Sequence, residues 1–167
     1  LMLDPGLAFG TGTHPTTFMC MQWIDQQDFT GLDIVDYGCG SGILGIATLL
    51  MGAKKVIGVD IDPQALLATT ENAKRNKLPE DAMPVFLPKD TPSFMADIML
   101  ANILAGPLAE LAPALNAMTK VGGKICLSGI LAIQAEAVKA AYAQWFEFDP
   151  LATQEEWVRI TGTKVRE

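Results

Sequence analysis

The chain has 167 residues, half of them hydrophobic, which suits one domain with a substantial core and excludes a disordered chain. No apolar run approaches the ~18–20 residues that span a bilayer, no secretory signal is visible, and Cys20, Cys39 and Cys126 are too scattered for a disulfide framework or a zinc site. A reducing cytosol is therefore the default compartment, and the net charge of −7 counts against RNA or DNA gripped by this domain alone.

From the N-terminus, residues 4–17 form a loop of Gly, Thr and Pro, with Pro15 suited to the first position of a helix. That helix is predicted over 16–27, with Phe18, Met19, Trp23 and Ile24 buried. Gly31 breaks the chain before a short strand, Ile34-Val35-Asp36-Tyr37, which ends in the turn Gly38-Cys39-Gly40-Ser41-Gly42. The turn opens into a helix over 43–51, ended by Gly52, and a second strand follows over 55–61. Asp62 as N-cap and Pro63 behind it start a helix over 64–76, with Ala65, Leu66, Ala68, Thr69 and Ala73 inward. A brief third strand covers 85–87, and the apolar run 96–103 reads as a central parallel strand. Pro107 starts a helix bent at Pro113, and Gly122-Gly123 leads into a fifth strand over 124–128. A helix over 133–145 and two β-like runs, 147–151 and 157–163, complete the chain, the runs read as a terminal hairpin. This alternation predicts an α/β domain over 1–167: a mostly parallel, seven-stranded sheet with a C-terminal antiparallel hairpin and helices on both faces.

Residues 34–42 organise the rest. Alternating glycines permit a sharp turn and close approach to a ligand, and the helix behind them presents unpaired N–H groups. Asp60 ends the second strand at the distance where doubly wound domains hold ribose hydroxyls, and its carboxylate accepts two donors side by side. The glycine spacing is not that of a dinucleotide turn, and Asp36 stands where a pyrophosphate would lie. A cofactor with a cationic or zwitterionic end, such as S-adenosylmethionine, fits better; the alternative is a structural turn with no cofactor. Asn102 ends the fourth strand at the sheet's carboxyl edge. It is either a turn-former or a carboxamide whose oxygen accepts hydrogen bonds from an incoming amine. In the first loop Thr11, Thr13, Thr16 and Thr17 offer hydroxyls and Phe9 an apolar wall, with Thr17 the expected cofactor contact. The lone histidine, His14, reads as structural before catalytic, holding the loop or bonding the cofactor's carboxylate, and Cys39 reads as a packing residue. The expected cofactor set is Thr11, Thr17, Asp36, Gly38, Gly40, Asp60, Ile61 and Asn102, with Asn102 also catalytic and no metal.

Residues 3–17 (LDPGLAFGTGTHPTT), 36–44 (DYGCGSGIL), 60–65 (DIDPQA), 101–108 (ANILAGPL) and 127–131 (LSGIL) resemble the motifs of the PrmA family of ribosomal-protein methyltransferases. The resemblance spans nearly the whole chain. The first and fourth motifs are distinctive, and the glycine motif is shared by most class I methyltransferases. It implies a Rossmann-like S-adenosylmethionine-dependent fold and Thr17, Gly38, Asp60 and Asn102 as cofactor residues. It further implies a cytoplasmic enzyme that methylates lysine and N-terminal amines of large-subunit ribosomal protein eleven. Family members recognise that substrate through an N-terminal domain, and the abrupt start at Leu1 suggests that this domain is missing here. The competing readings are a small-molecule or nucleic-acid amine methyltransferase and a non-catalytic cofactor-binding module.

Overall fold

A computed structural model describes residues 14–167. Eight strands among these residues form one sheet: β1 (Asp33–Tyr37), β2 (Lys55–Val59), β3 (Val85–Phe86), β4 (Ala96–Asn102), β5 (Thr119–Leu131), β6 (Phe146–Phe148), β7 (Ala152–Gln154) and β8 (Trp157–Lys164). Their order is β3-β2-β1-β4-β5-β8-β6, with β7 also paired to β8. The first five are parallel, and β8 runs antiparallel to β5. The chain winds outward from β1 to β2 and then returns to place β4 on β1's other side. The carboxyl ends of β1 and β4 thus flank the point where the winding reverses, which is where open α/β sheets hold ligands.

The helices are α1 (Pro15–Asp25), α2 (Ile43–Leu50), α3 (Pro63–Arg75), α4 (Ala105–Glu110), α5 (Ala112–Ala117) and α6 (Ala135–Tyr142). Alternation along the strands divides the core. Ile34, Val56, Ile98, Leu100 and Cys126 pack with residues of α1 and α2, including Trp23, Ile43 and Ile46. Val35, Ile57, Met99, Ile125 and Leu127 face the other way, onto Leu108, Leu115, Val138 and Tyr142 of α4 to α6. Neighbouring residues of one strand point to opposite faces, so a continuous apolar run can serve both layers.

Several expectations need correction. The terminal hairpin is β7–β8, but β6 also pairs with β8, at its far end. β6 and β7 lie one after the other along β8 and are separated by a segment containing Pro150, which has no N–H to give to a ladder. The count is therefore eight rather than seven. Phe18 is 44% exposed, because Met19, Cys20, Trp23 and Ile24 form the stripe that α1 buries. On α3 Leu66 and Ala73 are only half-buried, whereas the polar Asn72 is buried. α4 begins two residues before Pro107, and a separate α5 holds Pro113 at its second position, where a missing N–H costs nothing. β5 extends well beyond 124–128. Gly122-Gly123 lies within it, where the register shifts between the pairs Ala96–Thr119 and Ile98–Lys124. The last helix starts at Ala135, leaving Ile133 in a 3-10 turn and 92% exposed.

Candidate cofactor and acceptor site

β1 delivers Asp36 to the sheet's edge and turns through three glycines, all with positive φ. Gly38, at φ +76°, has no room for a side chain, since a Cβ there would collide with the Ile103 side chain. Its N–H, like that of Cys39, donates to the Val59 carbonyl, tying the turn to the end of β2. From the opposite side α3 braces the turn. Thr69 donates to the Gly40 carbonyl at 3.0 Å, and Asn72 donates through Nδ2 to the Ser41 carbonyl at 2.9 Å. These two residues were not foreseen as part of the site. Their one signal was a pair of polar residues three apart on the buried stripe of an amphipathic helix.

Asp36 is almost fully buried at the start of α2, where its Oδ2 accepts the Gly45 N–H at 3.0 Å. Burial pushes its carboxyl up to about 7; the Gly45 bond pulls the other way, and the charge of Asp60 adds to the rise. Asp60 is held by two backbone donors: Oδ2 accepts from Gly40 and Oδ1 from Asp62, each at 3.0 Å. Each carboxylate oxygen has a second lone pair, so the pair of ribose acceptors expected at this position is still available. Burial and Asp36 push the Cys39 thiol well above its ordinary range, which keeps it protonated.

Thr17 is fully buried in the first turn of α1, and its hydroxyl accepts from Asn102 Nδ2 at 3.2 Å, across 85 residues of sequence. Ser128, at the end of the pairing between β4 and β5, donates to the Thr16 carbonyl at 3.1 Å. The start of α1 is thereby fastened to both strands that flank the reversal. His14 caps this helix through Nδ1, which accepts the Thr16 N–H, and its ring meets Trp157 edge-on at 5.2 Å between centroids.

One cleft of about 190 Å³ is lined by Thr17, Asp36, Gly38, Gly40, Asp60 and Asn102, together with Cys39, Ser41, Ile43, Leu44 and Ile103. Six of the eight expected residues thus share a single cavity. Ile61 is outside that lining and 82% exposed, because β2 ends at Val59 and the side chain leaves the sheet beside Asp60. Thr11, with Phe9 and Thr13, lies outside the described residues. A second cavity of about 360 Å³ adjoins the first through Asn102 and Ile103 and is walled by His14, Thr16, Leu104, Gly129 and Trp157. No cluster of three metal-ligating side chains occurs among the described residues.

The sheet order, the glycine turn at the reversal point and the acid at the tip of β2 define a class I methyltransferase fold. The solved ribosomal protein L11 methylase of Lactobacillus delbrueckii subsp. bulgaricus superposes with a TM-score of 0.88 at 33% identity, covering 98% of this chain and 84% of its own. An RNA methyltransferase from Salinibacter ruber, solved in complex with S-adenosyl-L-homocysteine, matches at 0.72 and 16% identity over 93% and 95% of the two chains, which speaks for the fold alone. A family model described as ribosomal protein L11 methyltransferase (PrmA) matches residues 1–165, and the chain belongs to this family. The ribosomal protein L11 methyltransferase of Cellvibrio japonicus (strain Ueda107) is 76% identical over 166 residues, 99% of this chain and 56% of the relative. That of Saccharophagus degradans is 62% identical over 98% of this chain and 56% of the relative. The chain therefore spans a little over half the length of these curated relatives.

Proposed function

We propose that this chain is the catalytic domain of an S-adenosylmethionine-dependent protein N-methyltransferase, and that it methylates lysine side chains and the N-terminal amine of ribosomal protein L11. The observation that carries the reading is the convergence of Thr17, Asp36, Gly38, Asp60 and Asn102 on one cleft at the sheet's reversal point. The donor set fits the cofactor. Asp36 offers a buried anion toward the cationic end, Asp60 offers acceptors for two adjacent hydroxyls, and the glycine turn leaves space beside them. Asp36, Gly38, Gly40 and Asp60 would hold the cofactor, and Ile61, exposed beside Asp60, would offer an apolar surface to its adenine. Recognition of L11 falls to the part of the relatives that this chain does not cover. The site of action is the cytoplasm; no helix among the described residues is long and apolar enough to cross a membrane.

The cofactor supplies a methyl group on a positively charged sulfur, a strong electrophile, so the protein's part is mainly positioning. Thr17 occupies the nitrogen of the Asn102 carboxamide, and among the described residues nothing donates to its oxygen. That oxygen takes an N–H of the incoming amine and aims the lone pair at the methyl carbon. When bound, the cofactor would supply its methyl group to that lone pair, and its sulfur would keep the electrons of the C–S bond. A lysine amine has a free pKa of ~10.4, and the apolar cavity beside Asn102 favours its neutral, nucleophilic form. The nitrogen becomes positive on methylation and loses a proton to water before the next transfer.

Calorimetry with S-adenosylmethionine and with NAD tests the cofactor: binding of the first alone, lost in Asp60→Ala, is expected. Labelled methyl transfer to L11 by the full-length enzyme tests the reaction, with Asn102→Ala expected to lose at least a hundredfold, the scale of a removed transition-state contact. A protein that binds neither ligand is not this enzyme.

A further inference from the structure

Resting on the methyltransferase reading, we propose that Thr69 of α3 is a positioning residue for the cofactor: by fixing the glycine turn it holds the Asp60 carboxylate ready for two adjacent ribose hydroxyls. Thr69 and Asn72 are both fully buried, on the face of α3 that also buries Ala65 and Ala68. An aliphatic side chain would fill either place without the desolvation cost of a hydroxyl or a carboxamide. What the polar groups add is direction, because a hydrogen bond is angle-dependent and orients the peptide it meets. Thr69 lines neither the cofactor cleft nor the cavity beside Asn102, so it acts only through the turn.

One stretch of α3 grips residues 39–42 of the turn. The Thr69 hydroxyl donates to the Gly40 carbonyl at 3.0 Å and lies 3.4 Å from the Cys39 Sγ, while Asn72 holds the Ser41 carbonyl. At Gly42, with φ +84°, a Cβ would stand 2.8 Å from the Thr69 Cγ2, so the methyl seats the turn that the hydroxyl aims. Gly40 in turn donates its N–H to Asp60 Oδ2. The other oxygen, Oδ1, accepts from Asp62, which is the N-cap of α3. Both Asp60 oxygens are therefore tied to the same helix, one through its cap and the other through Thr69 and Gly40. A carboxylate turns easily about its last torsion. Two donors from separate segments stop that rotation and leave a lone pair on each oxygen in a fixed direction.

The test uses the full-length enzyme, with calorimetry of S-adenosylhomocysteine and of its 2′,3′-dideoxy analogue, and methyl transfer to L11 at saturating S-adenosylmethionine. Thr69→Val removes the donor and keeps the bulk. It should weaken S-adenosylhomocysteine about fivefold to tenfold, the scale of one hydrogen bond, and the dideoxy analogue by less than about twofold. The kcat should stay within about twofold of wild type, because Asn102 and its Thr17 partner are untouched. Thr69→Ser, which keeps the hydroxyl, should recover most of the lost affinity, and Thr69→Ala gives the same comparison if the valine variant does not fold. Equal weakening of both ligands, an unchanged Kd, a serine variant as weak as the valine variant, or a fall in kcat as large as the loss of affinity would overturn the proposal. Failure of the wild type to bind S-adenosylmethionine would instead strike the methyltransferase reading itself, and calorimetry reports that separately.

Discussion

Replacing Asp36 by asparagine isolates the energetic burden of a buried anion in the cofactor cleft. The carboxyl titrates near 3.8 when the chain is unfolded and near 7 in the fold, chiefly because burial disfavours its charge. Between these values the unfolded chain has released the proton and the folded chain still holds it, so stability falls as pH rises. The stabilisation is whole below 3.8 and is lost through about 7. At 1.36 kcal/mol per pKa unit, the gap amounts to about 4 kcal/mol, with about 2–3 kcal/mol of it developing between pH 5 and pH 8. Asparagine cannot ionise. The difference in urea unfolding free energy, wild type minus Asp36→Asn, should therefore fall by that amount from pH 5 to pH 8, while other titrating groups cancel. The same carboxylate should be stabilised by a cationic ligand, so cofactor binding near pH 6.5 should release protons, visible as a buffer-dependent calorimetric heat that Asp36→Asn lacks. A stability difference that does not change with pH would refute the reasoning, because it would mean that Asp36 is solvated in the fold.

Gly31 and Gly38 both sit at positive φ, +73° and +76°, but only Gly38 has a side chain against it. Gly31→Ala should therefore cost about 1–2 kcal/mol from backbone strain alone, and Gly38→Ala should add about 1–3 kcal/mol of overpacking against Ile103. Urea unfolding of the two variants checks this, and equal losses would remove the Ile103 contact from the account. Thr17→Val removes the hydroxyl that holds Asn102 and should slow methyl transfer about tenfold at a stability cost of about 1 kcal/mol, with Thr17→Ser recovering both. If the serine variant is as slow as the valine variant, the hydroxyl is not what orients the carboxamide.

The site was legible in the sequence wherever the chain itself imposes the geometry. A strand that ends in alternating glycines must turn sharply, Asp62-Pro63 must begin a helix, and Asp60 must then fall at a strand tip. These are consequences of backbone sterics and hydrogen bonding over a few residues, so they survive without knowledge of the fold. For the same reason the strands and helices were found close to their true places, while their ends drifted.

What the sequence could not determine depends on contacts between distant segments. Asn72 and Thr69 brace the glycine turn from another helix, Thr17 meets Asn102 from the far end of the chain, and Trp157 arrives from the final hairpin to wall the second cavity. The burial of Phe18 was misjudged because a hydrophobic residue is buried only if another element covers it. Local spacing specifies the turn and the acids. Only packing between layers decides which side chains meet at the edge of the sheet, because those contacts join residues that no short stretch of chain constrains.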